Sequence, residues 1–428
     1  MVAVKGQIYG AGTQRTAAVA AGAVLVLSSC SLGGSEVEDG GPGSARVTVT
    51  PAPDSADVAP DTPVMVEAED GTITDVRIEQ TPTDDLGEEA AGDAGTASGQ
   101  LGEDGATWIS DRNLVPGASV TVHATAENDA GTETEVVSEF ATAAVAEEDR
   151  LELVSNFPVS GDVVGVGMPV VINFDRDVER KEQVENSMEV TSEEPVEGAW
   201  NWVGDDTAVF RPKEYWEPYQ DVEVDLRLAG VASEEGVHAV RDHSIEFEVG
   251  REQISTMHVP DHEMVVEVDG DHERTIPVSN GAGEKEFDTT TSGIHLTMEK
   301  YTSLVMDSAT VGIPEGSPGH YRMDVDHAVR TSNSGEFTHA APWNGQIGSA
   351  NTSNGCTNMS EADARWFHDE SLMGDVLETT GTGRELEWDN GWGFYQRSWE
   401  EWLDNSVTGE PQTTDGSGTP GDVHADET

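Results

Sequence analysis

Apolar and polar positions alternate in short runs along most of this chain. From Arg46 to about Val145, segments such as Val47-Thr48-Val49-Thr50 and Ser119-Val120-Thr121-Val122-His123-Ala124 send apolar and polar side chains to opposite faces, with Gly, Asp and Pro between the runs. A period of two with frequent turns predicts a β-sandwich of short strands. Within it, Asp84 to Asp104 is rich in Gly, Ala and acidic residues and reads as a loop. The pattern repeats from Leu151 to Gly250. Pro169-Val170-Val171-Ile172-Asn173-Phe174 answers Pro63-Val64-Met65-Val66-Glu67-Ala68, Val222-Glu223-Val224-Asp225-Leu226 answers the run at Ser119, and Phe247-Glu248-Val249 answers Phe140-Ala141-Thr142.

A repeat of about a hundred residues fits two tandem immunoglobulin-like sandwiches, 46–147 and 148–250, and is too long for propeller blades. Neither repeat holds a cysteine pair. From about Glu252 a third, β-rich domain opens, with Met264-Val265-Val266-Glu267-Val268 and Glu273-Arg274-Thr275-Ile276-Pro277-Val278 joined by the hairpin signal Asp269-Gly270-Asp271. As a calcium loop that tripeptide lacks a bidentate Glu and further ligands at the required offsets. After Met359 the period becomes helical. Ser360-Glu361-Ala362-Asp363 is a capping-box-like start, Ala364, Trp366 and Phe367 are apolar positions, and the helix is expected to end near Met373-Gly374. Trp388, Trp392, Phe394, Tyr395, Trp399 and Trp402 crowd a segment at 381–404, expected to pack back onto the third domain (251–380) rather than serve as a sugar platform. Residues 405–428 are polar, rich in Gly, Pro and acids, and expected to be disordered.

Composition changes the picture in two places. Eighty-three acidic against 22 basic residues give a net charge of −61, spread along the chain, which excludes nucleic acid as a partner and reads as salt adaptation. At the N-terminus, Lys5 and Arg15, the apolar stretch Thr16 to Leu27 and a small-residue end form an export signal over residues 1–30. Leu27-Ser28-Ser29-Cys30 resembles the lipobox of bacterial lipoproteins, whose cysteine is acylated and becomes the first mature residue; an ordinary signal with an incidental Cys30 is the alternative. Residues 31–45 follow as a Gly/Ser/acid tether. The resemblance implies a lipid anchor on the outer face of the cell membrane.

If Cys30 carries lipid, Cys356 is the one remaining thiol, so it is a buried small hydrophobe, an intermolecular crosslink or a nucleophile. Its surroundings favour chemistry. Ser353-Asn354-Gly355-Cys356 stands shortly before the expected helix, where backbone N–H groups and the dipole favour thiolate. His339 lies upstream across a Trp/Gly/Asn loop that could fold it back onto Cys356 as a Cys–His ion pair. Spacing alone is weak support, because twelve histidines are scattered through the chain. No His/Cys/carboxylate set has metal-ligand spacing, and no cofactor is expected.

The segment from about Glu252 to Trp402 resembles the YkuD-type catalytic domain of L,D-transpeptidases, whose pattern is a His, a loop of about fourteen residues and Ser-His-Gly-Cys. Met306-Asp307-Ser308, Gly319-His320-Tyr321-Arg322, Ser334-Gly335-Glu336-Phe337, Ala341-Pro342-Trp343 and Asn358 stand where that group carries similar residues, and tandem immunoglobulin-like modules behind a lipobox match its actinobacterial members. The resemblance implies a mainly β chain: two immunoglobulin-like sandwiches, then a β-rich catalytic domain with a short helix after the nucleophile. It also implies acyl transfer. Cys356 attacks the third residue of a peptidoglycan tetrapeptide stem and expels D-alanine, and the amine of a second stem resolves the thioester into a crosslink between third-position residues. By the same resemblance His339 is base and then acid, the amides of Gly355 and Cys356 form the oxyanion hole, and Tyr321, Ser334, Gly335, Asn354 and Asn358 meet substrate. Carbapenems are the expected acylating inhibitors.

This chain departs from the family pattern at three places. The loop is about one residue short, Ala340 follows the histidine where Ser or Gly is common, and Asn354 replaces the motif histidine. An amide donates a hydrogen bond but cannot ionise, which puts rate or donor preference in question. The alternative function is a catalytically weak wall-binding protein.

Overall fold

The alternating runs do become strands, and they stack as the repeat predicts. The computed structural model describes residues 44–82, 96–284, 288–311, 314–317 and 320–416. The expected export signal with Cys30, almost all of the tether, residues 84–95 of the expected loop and the chain beyond 416 lie outside the described residues. In the first sandwich, a sheet with strand order Arg46–Thr50, Met65–Glu69, Thr107–Ser110, Gly99–Leu101 faces one ordered Thr96–Ala97, Thr72–Pro82, Ala118–Glu127, Glu133–Ala141. Part of the expected 84–104 loop is therefore short strands. Val120, Val122, Ala124 and Ala126 point inward from one strand and meet Val47, Val66, Ile78 and Trp108 in a closed core.

The second sandwich sets Leu153–Phe157, Val170–Phe174, Thr207–Pro212, Glu197–Val203 and Gln412–Thr413 against Val163–Val164, His243–Val249, Gln220–Leu226 and Met188–Ser192. Its fifth strand corrects the reading of the tail. Gln412 pairs with Gly198 and Thr413 with Glu197, and the Thr414 amide donates to the Val196 carbonyl at 3.0 Å. Polar composition forbids a core, but the edge of a sheet offers unpaired N–H and C=O groups that a polar segment satisfies as well as any other.

The third body has two sheets. One orders Asp271–Pro277, Glu263–Val268, Gln253–His258, Val376–Thr380 and Gly293–Leu296; the other orders Lys300–Asp307, Arg322–Arg330, Phe337–Ala340 and Thr357–Met359. The expected hairpin is present, with Asp269 at φ 49° and Gly270 at φ 76°, the left-handed pair of a two-residue turn. The helix runs Glu361–Glu370, its first turn capped by Ser360 accepting from the Asp363 amide. It stops short of Met373 because the Asp375 carboxylate accepts the Leu372 amide at 2.8 Å and closes a turn there.

The aromatic segment corrects a second expectation. It does not simply fold back onto the third domain but bolts to the outer strands of the second sandwich. The Trp402 indole donates to the Ala199 carbonyl at 3.0 Å, Asn201 donates to the Trp402 carbonyl at 2.9 Å, and the Trp399 indole reaches Glu197 at 2.9 Å. Arg211, 2% exposed, lies over the rings of Tyr395, Trp399 and Trp402. Those rings need a flat, partly apolar surface, and Ala199 and Val209, which share a strand face with Asn201 and Arg211, supply one. The same segment touches the third domain through Leu386, whose amide donates to Ser292, and Gln396, which donates to Ile294. It is a strap across both bodies.

Candidate active site

The site is built on two short parallel strands. Phe337–Ala340 pairs with Thr357–Met359 in the register Thr338↔Thr357, His339↔Asn358, Ala340↔Met359. Parallel partners need a long return, and residues 341–356 provide it. Because strand side chains alternate, His339 shares one face with Phe337 and Asn358, while Ala340 and Met359 point into the core beneath; Cys356 sits in the bend just before the second strand. Cys356 packs with Phe337, Met306, Val325 and Ala328.

His339 is 4% exposed. Its Nδ1 lies 2.8 Å from the Ala340 carbonyl, which only accepts, so Nδ1 carries the proton and Nε2 keeps its lone pair. Alanine serves here because the carbonyl belongs to the main chain. Burial holds the imidazole below its usual range, although that same hydrogen bond raises it. Burial also pushes the Cys356 thiol up to about 12, eased by the Phe337 backbone and reinforced by the Glu336 charge. Two sequence expectations therefore fail. The strand Thr357–Met359 separates Cys356 from the helix that begins at Glu361, so no helix terminus stabilises a thiolate, and desolvation leaves a neutral thiol and neutral imidazole rather than an ion pair.

The turn before Cys356 is tied at several points. Gly355 has φ 110°, open to glycine alone; Thr290 donates to its carbonyl at 2.6 Å, and Ser353 donates to the Cys356 carbonyl. The Ser353 amide donates to Asn280 at 3.0 Å. The Gly355 amide already donates to the Ser353 hydroxyl at 3.2 Å, so of the two expected oxyanion donors one is engaged. Asn354 is exposed and makes no hydrogen bond among the described residues.

The other expected substrate contacts converge on the same face. The Cys356 thiol faces the Gly335 carbonyl at 3.6 Å, and Gly335 itself has φ 95°. Ser334 stands beside it. Asn358 is buried, and its Oδ1 has no partner among the described residues. Tyr321 packs against the Cys356 cluster, and burial, with the nearby thiol, raises its hydroxyl to about 12. It ends the segment that joins Lys300–Asp307 to Arg322–Arg330, closed at its base by mutual bonds between Ser308 and Tyr321. Asp307 is held there by Arg322 at 2.8 Å and His320 at 3.3 Å.

Sequence reading missed three groups. Trp343 stacks on His339 with ring centroids 6.3 Å apart and is 52% exposed, a signal present in the quoted motif. Glu336 is buried with Thr291 (2.6 Å), His295 (3.4 Å) and Arg384 (3.6 Å), contacts that no spacing announces. Asn390, within the strap, binds Ser334. A cleft of about 1300 Å³ opens beside Ser334, lined by His262, Glu284, Asn333, Arg384 and Asn390; Cys356 and His339 do not line it.

A bacterial Ig domain model matches residues 55–232, across both sandwiches, and an L,D-transpeptidase catalytic domain model matches residues 252–378. The chain is 34% identical to L,D-transpeptidase 2 of Mycobacterium tuberculosis over 359 residues, covering 83% of this chain and 84% of that protein. It is 31% identical to L,D-transpeptidase 5 of the same species, covering 86% and 79%. A solved LD transpeptidase in complex with imipenem aligns at 33% identity and TM-score 0.47, over 53% of this chain and 98% of that one. Two sandwiches, a third body carrying a buried His on one strand and a buried Cys just before its neighbour, and relatives matched over most of their length lead to one conclusion: the chain belongs to the L,D-transpeptidase family.

Proposed function

We propose that this chain is an acyltransferase that crosslinks peptidoglycan stems, with Cys356 as nucleophile and His339 as its base. The single observation that carries the reading is a buried imidazole whose Nδ1–H is committed to the Ala340 carbonyl, on the strand face whose Phe337 packs against a buried thiol. His339 Nε2 takes the thiol proton as Sγ attacks the carbonyl of the third stem residue. The Cys356 amide holds the tetrahedral oxyanion, joined by the Gly355 amide once it leaves Ser353. Collapse breaks the amide bond and His339 returns the proton to the departing D-alanine amine. The side-chain amine of a second stem then attacks the thioester, loses its proton to His339, and leaves a new amide and a restored thiol. Tyr321, Ser334, Gly335, Asn354 and Asn358 contact the stems. We assign residues 1–30 to export, Cys30 to lipid attachment at the outer face of the cell membrane, and the two sandwiches to spacing the catalytic domain from it.

Since both groups rest neutral, the acylation rate should fall only as pH drops through the depressed imidazole range, below the ordinary 6.5. It should show no thiolate-driven rise until pH approaches about 12. Intact-protein mass spectrometry of the ectodomain with a carbapenem, at low and molar salt and over this pH range, tests both statements. The expected result is one adduct on Cys356, absent in Cys356→Ala and slowed by about 10²–10⁴ in His339→Ala. A second reading, a catalytically weak wall-binding protein, draws on Asn354, which is exposed and unbonded among the described residues. Folded protein that forms no adduct at either salt favours it.

A further inference from the structure

The aromatic strap does more than join two bodies, because its turn at Asn390-Gly391 is seated on the loop that faces the nucleophile. The Asn390 side chain holds Ser334 at two points: its Oδ1 accepts the Ser334 amide at 2.8 Å and its Nδ2 donates to the Ser334 hydroxyl at 3.0 Å. That hydroxyl is also 3.0 Å from Ser332, whose own hydroxyl accepts the Glu336 amide at 3.2 Å. Gly391 follows at φ 80°, and a Cβ there would stand 3.1 Å from the Ser332 Cα and 3.3 Å from the Asn333 amide. Backbone therefore lies directly against backbone. The next residue, Gly335, adopts φ 95° and turns its carbonyl to the Cys356 thiol. A left-handed glycine between Ser334 and Glu336 has little stiffness of its own, so the direction of that carbonyl depends on what clamps Ser334.

The strap's own footing is firm. Asn390 closes a turn with Glu387 at 3.0 Å, the ring of Trp388 is covered by Arg397 at 3.4 Å, and the segment runs on to Trp402, buried against the second sandwich. An asparagine grips an amide and a hydroxyl at once because one carboxamide both accepts through its oxygen and donates through its nitrogen.

We infer that Asn390 is a positioning residue for the acyl transfer. Through Ser334 it fixes the Gly335 carbonyl against Cys356, so that the second sandwich, by way of the strap, sets the rate at which the thiol is acylated. The inference rests on the proposed role of Cys356, and the test separates the two. Amide hydrogen exchange over residues 332–336 and the rate of Cys356 acylation by a carbapenem are measured in the intact ectodomain for the parent, Asn390→Ala, Asn390→Asp, Ser334→Ala and the Asn390→Ala/Ser334→Ala pair.

Asn390→Ala is expected to speed exchange of the Ser334 amide about ten-fold and slow acylation at least about ten-fold, since small misplacements of reacting groups cost this much or more. The melting temperature should shift by only a few degrees. Asn390→Asp keeps the acceptor for the Ser334 amide, and the hydroxyl can rotate to donate, so it should return acylation to within about two-fold of the parent. The double variant should lose less than the product of the two single losses, because the hydroxyl contact is shared by both while the Ser334 amide still reaches Asn390 in Ser334→Ala. Unchanged exchange in Asn390→Ala overturns the clasp, and losses that multiply in the double variant overturn its action through Ser334. A parent that is never acylated removes the role of Cys356, while exchange still decides whether Asn390 holds the loop.

Discussion

The two sandwiches share a repeat but not a relationship to the rest of the molecule. The first closes its own core around Val47, Val66, Ile78 and Trp108, and meets its neighbour through a small cluster of Val115, Ala118 and Ala229 and an Arg180–Asp61 pair at 3.4 Å. In the second, the core is continuous with Leu296, Met298 and Val376 of the catalytic body and with Trp392, Phe394 and Trp402 of the strap. Two contacts at their seam are close enough to require glycine. The Gly165 amide donates to Met373 at 2.7 Å and the Gly167 amide to Gly374 at 3.0 Å, where a Cβ on Gly165 would lie 2.4 Å from the Asp375 amide. The lesson is that equal folds need not be equal parts: one closes a core of its own, while the core of the other runs on into the catalytic body.

That contrast can be broken first at Trp402. Trp402→Ala opens a cavity beneath the strap and should cost about 3–5 kcal/mol in the combined unfolding of second sandwich and catalytic body. Denaturant unfolding followed by Trp fluorescence reads the loss, and Cys356 acylation should slow with it. If acylation persists at the parental rate, the strap is not coupled to the site.

The matching change in the first sandwich is Val66→Ala, at a residue 0% exposed, expected to cost about 2 kcal/mol in the unfolding of that sandwich alone. Acylation should be unchanged, and amide exchange by peptide should locate the loss within 46–147. A loss that spreads to residues 252–402 would erase the distinction.

The smallest effect sharpens the seam. Asp375, 1% exposed, is bonded by Arg251 at 2.9 and 3.0 Å, yet burial outweighs the guanidinium and pushes its carboxyl up to about 6 from an ordinary 3.8. A carboxyl raised in the folded state contributes stability that is fully present below the unfolded value and is lost as pH rises through the folded one. The parent should therefore lose melting temperature relative to Asp375→Asn between about pH 4 and pH 7, by a few degrees. A constant difference across that window would show that Asp375 does not titrate there.

Much of this was legible because local rules were obeyed. Val120, Val122 and Ala124 alternate with polar partners and become an inward row; Asp269-Gly270 becomes a turn; Ser360 becomes a cap. The pairing of His339 with the Cys356 region could be suspected, since a long loop between two short β runs permits parallel neighbours. What failed had non-local causes. The thiolate argument assumed that a helix follows Cys356 directly, and three residues were captured as a strand beside Phe337–Ala340. The tail reading judged composition, while Gln412–Thr413 is held by a sheet edge formed some 200 residues earlier.

The sequence by itself determined the periods and the turns, because each follows from residues within a few positions of one another; the hundred-residue repeat added the two sandwiches, and the family resemblance singled out the thiol and the imidazole. Tertiary structure alone decided the protonation of that pair, the pairing of Asn390 with Ser334, and the docking of the strap on the second sandwich rather than on the catalytic body alone. Burial and carbonyl direction arise from chain segments far apart in sequence, and no local pattern encodes the dielectric in which a side chain ends.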